Sequence, residues 1–213
     1  MTLMNTPSQK IGSLAVTTLL LAAFTLVGAG CLSRPALVRQ TFALESPAAA
    51  TPTTNRGDGV LALRSCAVSP LFESRAFVYR TGGEAYEQDP YAGFMVSPNN
   101  ALAIPIRGYL RDAGVFRDVV EPGSLVQPDR LLEVYVSELY GDLRIPAKPA
   151  AVLAAQFVFF RSGSGTSPAV FLDKTYSRRI PLKENTAVSV VAGWNQALAE
   201  IMAEVATDLA AKP

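Results

Sequence analysis

The chain has 213 residues, 19 Lys and Arg against 18 Asp and Glu, and 49% hydrophobic residues, enough for one domain with a core of its own. It has no histidine, which removes the usual general base at neutral pH, the imidazole-based triads and the commonest metal ligand. It also has no basic cluster, which argues against nucleic acid as a partner, since several Lys or Arg on one face are needed to displace counterions.

Ile11 to Val27 is an almost unbroken apolar run behind a polar segment whose only side-chain charge is Lys10, and it ends in Gly28, Ala29, Gly30 and Cys31. The pattern predicts a lipoprotein signal peptide over residues 1–30. Small residues admit a peptidase to the backbone, and the Cys31 thiol is where a diacylglyceryl chain would be built before cleavage. A run of about 18 or more apolar residues can also span a bilayer, but Thr17, Thr18, Thr25 and the Gly-Ala-Gly exit disfavour an uncleaved anchor. An ordinary secretory signal would leave Cys31 at the foot of the run unexplained. In one departure from the usual pattern, Gly28 stands where such signals carry Leu. Loss of Lys10 with the signal leaves equal numbers of basic and acidic side chains. With Cys31 lipidated, Cys66 has no disulfide partner, and its place in the apolar stretch Val60 to Val68 predicts a buried structural thiol.

Residues 31–40 form a lipidated tether, and Leu32 to Gln40 spans at most about 30 Å when extended. The folded domain is expected over 41–213. Thr41 to Leu44 predicts a short first strand, and Ser46 to Gly59, rich in Ala, Pro and Thr, a loop. Gly59 to Pro70 reads as a strand with Leu61, Leu63 and Ser65 on one face and Val60, Ala62 and Arg64 on the other. Phe77 to Arg80 is a further strand, turned at Thr81-Gly82-Gly83 into a hairpin with Ala85 to Asp89. Ser97-Pro98 starts a helix that either kinks at Pro105 or becomes regular there, and Gly114 ends it. Val115 to Val120 then resumes as a strand, a β-helix-β order that predicts some parallel pairing.

After a Pro/Gly loop over Glu121 to Arg130, three longer strands are predicted: Leu131 to Leu143, Ala151 to Arg161 and Ala169 to Ile180. In the first, Leu132, Val134, Val136 and Glu138 alternate with Leu131, Glu133, Tyr135, Ser137 and Leu139. Turn signals at Pro146 to Pro149 and Ser162 to Pro168 make these strands an antiparallel meander. Thr186 to Lys212 carries Ala187, Val190, Val191, Trp194, Leu198, Ile201, Val205 and Leu209 at helical spacing, with Gln196, Glu200, Glu204 and Asp208 turned away. The fold class is therefore α/β, a single domain with a mixed β-sheet, an antiparallel meander and flanking helices.

Without histidine, an enzyme would need carboxylates, and the best pair is Glu138 and Asp142 at a strand end, where paired acids cleave glycosides. Spacing in sequence says little about their separation in space, and solvated strand-end charges explain them more simply. The Gly-rich turns lack the Lys and following helix of a phosphate loop. No catalytic residue, metal ligand or cofactor site is assigned. Aromatics are concentrated from Phe77 to Phe94, with Tyr79, Tyr86 and Tyr91 among them, mixed with Arg80 and Glu84. Such a mixture suits a protein-binding surface; Phe77 and Phe94 read equally well as core. Tyr79, Arg80 and Tyr86 are the candidate partner-binding residues, displayed on a rim hairpin with Phe77 and Phe94 beneath.

The order of Cys31, TFAL, FVYRTGGEAYEQDPY with Phe94 and Pro98, AGVFRDVVEPGS, VSELYGDLR and AGWNQALAEI resembles the ABC-type transport auxiliary lipoproteins, including those of paraquat-inducible systems. The resemblance implies a periplasm-facing, lipid-anchored, non-catalytic component of a lipid transport system. Its partners would be a permease, an ATPase and a substrate-binding protein of the mammalian-cell-entry type; a homo-oligomer is left open. Leu32 occupies the place where Asp would mark inner-membrane retention, which favours the outer membrane. A carboxylate-dependent cell-wall enzyme, or a structural lipoprotein of another envelope complex, are the competing classes.

Stable anchoring needs two or more acyl chains, each buried methylene contributing about 0.8 kcal/mol. Cys31→Ser is therefore expected to leave an uncleaved precursor or a released domain, read by mass spectrometry and membrane fractionation. A Ser variant that matures to the same mass and stays in the membrane through lipid would refute the assignment.

Overall fold

The thirteen-residue strand β6, Arg130–Asp142, is the axis of the fold. The structure, a computed structural model, describes residues 38–49, 57–162 and 168–211. The signal peptide, Cys31 and most of the tether lie outside the described residues. So do the middle of the Ser46 to Gly59 loop and the tip of the Ser162 to Pro168 turn. Among the described residues no helix is long and apolar enough to cross a membrane.

The remaining strands are β1 Gln40–Phe42, β2 Val60–Val68, β3 Ala76–Arg80, β4 Tyr86–Phe94, β5 Asp118–Val120, β7 Ala150–Arg161 and β8 Ala169–Pro181. The helices are α1 Pro98–Asp112 and α2 Ala187–Ala210. Along one edge of β6 runs β7, antiparallel over the whole strand and followed by β8, which is the predicted meander. The other edge is divided. β2 pairs parallel with Arg130 to Val136, and β3 pairs parallel with Gly141 and Asp142. The sheet therefore forks at β6: β5 extends the β2 branch, while β4 and then β1 extend the β3 branch. Parallel and antiparallel ladders coexist, so the described residues form a single mixed sheet of eight strands with two helices.

Two β-bulges reset the alternation expected from the sequence, because an extra residue on one strand flips every side chain beyond it. In β2 the register with β6 shifts between Leu63 and Ser65, leaving Arg64 unpaired. Cys66 and Val68, not Ser65, then share the register of the buried Val134 and Val136. In β6 the register with β7 shifts between Val136 and Glu138, so Ser137 is the extra residue. Leu139 thereby enters the core in place of Glu138, which turns to the opposite face beside Tyr140 and Asp142. Predicted strand ends elsewhere move by a few residues; the hairpin return is longer than expected, reaching Phe94.

Both helices pack on one face, α1 against β2 and β5, α2 against β7 and β8. Helix α1 starts with Pro98 in its first turn and runs without interruption through Pro105. After β1 the chain crosses this helical layer. Glu45 N–H donates to Asn195 Oδ1 of α2 (3.1 Å), and the Ser46 hydroxyl donates to Pro105 O of α1 (3.3 Å). Gly108 permits the crossing, since a Cβ there would stand 2.6 Å from Ser46 Oγ.

Trp194 closes the core from α2. It is fully buried, its Nε1–H donates to Val152 O (3.2 Å), and its ring meets Phe77 edge-on (5.0 Å) and Phe94 stacked (5.4 Å). Phe42 of β1 extends the cluster through Phe77 (5.4 Å). Phe77 and Phe94 are thus core residues under α2. The polar side of α2 is not merely solvated: Lys174 of β8 bridges Glu204 and Asp208, Arg178 bridges Glu200 and Glu204, and the Tyr176 hydroxyl donates to Asp208. Truncating a fully buried aromatic costs about 3–5 kcal/mol. Trp194→Ala is therefore expected to lower the unfolding free energy by about that amount in urea titration, whereas Val188→Ala, on the exposed side of α2, should change it by less than about 0.5 kcal/mol.

Candidate functional site

Successive side chains of a strand point to opposite faces, and this separates the candidate residues of the hairpin. Tyr79 lies against Gly141 on the side of α2, where a Cβ on Gly141 would come 2.7 Å from the Tyr79 ring and 3.4 Å from Val190. Its hydroxyl donates to Asp89 Oδ2 (3.0 Å), while Asp89 Oδ1 accepts from the backbone of Tyr91 (2.8 Å) and Ala92 (3.0 Å). Burial first, then the hydrogen bond to Asp89, pushes the Tyr79 hydroxyl well above its ordinary range. Tyr79 braces β4 around Pro90.

Arg80 and Tyr86 face each other directly across the β3–β4 ladder. The Arg80 guanidinium lies over the Tyr86 ring, 5.5 Å from its centroid, and bonds Gly83 O, so the turn holds it in place. Tyr86, 40% exposed, meets Tyr140 edge-on (5.7 Å) and Phe72 (6.0 Å), and Phe72 stacks on Tyr140 (5.6 Å). Two of the three predicted residues therefore share an aromatic corner, on the face away from the helices. Phe72 and Tyr140 complete it, and neither was singled out from the sequence.

Beside this corner Asp142 is buried, with 1% of its side chain exposed. Arg144 grips it through Nε (3.0 Å to Oδ1), Nη2 (2.6 Å to Oδ2) and its own backbone N–H (3.1 Å), and Arg179 of β8 adds Nη1 (2.5 Å to Oδ2). Hydrogen bonds from Arg144, then those from Arg179, hold the carboxyl well below its usual range against the opposing effect of burial. Glu138 accepts a long hydrogen bond from the Tyr140 hydroxyl (3.4 Å). The two carboxylates share a face but have different surroundings, and Asp142 has its oxygens filled. An Asp-Leu-Arg step at a strand end was visible in the sequence; Arg179 was not, because its approach depends on β8 pairing through β7.

Elsewhere, Cys66 is half-buried, and burial pushes its thiol up to about 12 despite the nearby Arg107, so it stays protonated and unreactive at neutral pH. An open groove of about 610 Å³ lies between the ends of β2 and β4 and the start of α1, lined by Ala67, Val68, Pro70, Glu73, Ser74, Gln88 and Asn99. It brings only one carboxylate. Among the described residues, no group of three His, Cys, Asp or Glu side chains is placed to hold a metal ion.

Fold and site together define a mixed-sheet α/β domain with an aromatic and arginine-lined corner at one end of the sheet. The family model described as ABC-type transport auxiliary lipoprotein component matches residues 42–206, and the chain belongs to that family. Its fold is shared by a solved protein from Xanthomonas campestris, with 17% identity, a TM-score of 0.67, and coverage of 78% of this chain and 92% of that one. A second solved structure, of an uncharacterized protein, has 15% identity and a TM-score of 0.62, covering 81% and 99%. Among curated protein sequences, none matches this chain.

The arrangement at Asp142 makes a signed prediction. A carboxyl whose folded pKa is depressed contributes stability above its ordinary value of 3.8, and that contribution is lost as pH falls through the lower folded value. Asp142→Asn is expected to cost about 2 kcal/mol at pH 7. The gap between variant and wild type should shrink below pH 3.8. Urea midpoints at pH 7 and pH 3 check both points.

Proposed function

We propose that this protein is a lipid-anchored, periplasm-facing, non-catalytic component of an ABC-type transporter of the mammalian-cell-entry class, moving lipids between membranes. The observation that carries this reading is the family match across residues 42–206, nearly the whole folded part of the chain. The partners would be the substrate-binding protein of that system and its permease and ATPase. The anchor would be Cys31, and Leu32 after it favours the outer membrane.

The chemistry of the contact surface fits a holding role. Aromatic and Arg side chains supply contact area at modest entropic cost and dominate interface energetics. Arg80 and Tyr86 are the residues proposed to meet the partner, with Tyr79 acting from below by fixing β4. A carboxylate-dependent hydrolase is the weaker reading, since Asp142 is committed to Arg144 and Arg179 and has no oxygen free to move a proton.

Purification of the full-length lipoprotein from its native membranes is the test. A substrate-binding component, permease and ATPase should accompany it. Arg80→Ala combined with Tyr86→Ala should weaken that association by more than about tenfold while the melting temperature moves little. Retention of only murein-processing proteins, or of no transport component, would refute the proposal.

A further inference from the structure

We infer that Arg144 and Arg179, aligned by Asp142 and continuous with Arg80 and Tyr86, form a docking row for an acidic peptide segment of the transport partner. The inference rests on the proposed role as a transporter component and specifies the chemistry of its contact.

The first argument is charge. One carboxylate serves two guanidiniums: Arg144 takes both oxygens of Asp142, and Arg179 adds a third donor to Oδ2. A guanidinium has five N–H donors, so most of Arg179, 50% exposed, and part of Arg144, 40% exposed, are left toward solvent. Among the described residues no other carboxylate is paired with either. Arg80 is engaged by the Gly83 carbonyl, the Tyr86 ring and the Tyr140 hydroxyl, and among the described residues it forms no ion pair with a carboxylate. Glu138 is turned to Tyr140 and Glu87 to Thr81. The row therefore carries surplus positive charge and unfilled donors.

The second argument is preorganisation. A salt bridge to a buried Asp fixes the forks of Arg144 and Arg179 in direction, which spares rotamer entropy when a second anion arrives. Asp142 is thus a positioning residue.

The third argument is shape. In register order the row crosses β3, β6, β7 and β8, through Arg80 next to Asp142, Asp142 next to Ala150, and Val152 next to Arg179. At about 4.8 Å per strand its width is about 14 Å. That is broader than one phosphate headgroup and equals about four residues of extended peptide. Tyr86 at one end adds flat apolar contact, as protein interfaces use and as an isolated anion would not need.

Two measurements on the full-length, membrane-anchored protein test this. Ile145→p-benzoylphenylalanine, beside the row and outside it, should on irradiation in cells crosslink to a transporter component through a peptide containing Asp or Glu. The same probe at Ile104, exposed on α1, should not. Capture at Ile145 of lipid, of a second copy of this chain, of a peptide without acids, or of nothing would overturn the inference. Arg179→Gln leaves Arg144 on Asp142. It should weaken the purified complex by about tenfold or more and flatten its salt dependence. Unchanged affinity and salt dependence would overturn the inference. Should this variant unfold, the Ile145 crosslink in the otherwise wild-type chain decides. A native complex that purifies intact, with no crosslink at Ile145, refutes only the docking row. Absence of any transport component refutes the proposed function itself.

Discussion

A β-strand has two hydrogen-bonding edges, and β6 uses one of them twice. β7 occupies one side completely, so β2 and β3 must divide the other, β2 beside Arg130 to Val136 and β3 beside Gly141 and Asp142. Between those stretches the β6 backbone has neither neighbour on that side, and Ser137, the bulged residue, falls there. Other contacts must brace the branches against the shared part of the sheet, and both faces supply them. On the helical face Trp194 ties the β3–β4 branch to β7 through Phe77, Phe94 and Val152. On the other face Phe72, from the β2–β3 connection, stacks on Tyr140 and meets Tyr86 edge-on. Aromatic pairs contribute about 0.5–1.5 kcal/mol beyond the area they bury. The fork thus accounts for aromatic clusters on both sides of one sheet.

Much of this architecture is legible in the sequence because it follows from periodicity. The spacing of Val190, Trp194, Leu198, Ile201 and Val205 can hardly be anything but a helix with one buried side, and each of those residues is buried. The long meander announces itself by length and turn residues. The bulges at Arg64 and Ser137 do not, since a bulge is defined by a partner strand and leaves no mark in the composition of its own. Each resets the phase, which is why Glu138 and Leu139 exchange their expected faces. Pro105 was ambiguous for a different reason: an interior proline costs a helix roughly 3 kcal/mol, and the sequence does not state whether packing offsets that. Here Pro105 is buried and its carbonyl receives Ser46, so tertiary contact keeps the helix in one piece.

The aromatic and arginine corner is half legible in the sequence. Tyr79, Arg80 and Tyr86 form a group in the sequence because they are near one another, and strand alternation divides them. Arg80 and Tyr86 remain together because they are cross-strand partners. Arg144 could have been suspected from its place two residues after Asp142. Tyr140, Phe72 and Arg179 come from different strands and loops and meet only once the register of β3, β6, β7 and β8 is known. Composition can show that aromatics and arginines are present, whereas pairing decides which of them meet.

The same topology limits where a partner can sit. The segment after β1 crosses the helical layer and hydrogen-bonds both helices, so part of that face is covered by the chain itself. The opposite face at the end of β6 carries Arg80, Tyr86, Arg144 and Arg179. Equal numbers of basic and acidic side chains from Cys31 onward give little long-range steering, since that depends on a field summed over many charges. In the proposed role, a lipid at Cys31 would supply a substitute: a tether of at most about 30 Å would keep the domain near its membrane and raise the effective concentration of anything assembled there. With encounter provided by such an anchor, specificity would fall to a small surface whose guanidiniums are already aligned, and that alignment is the arrangement Asp142 enforces.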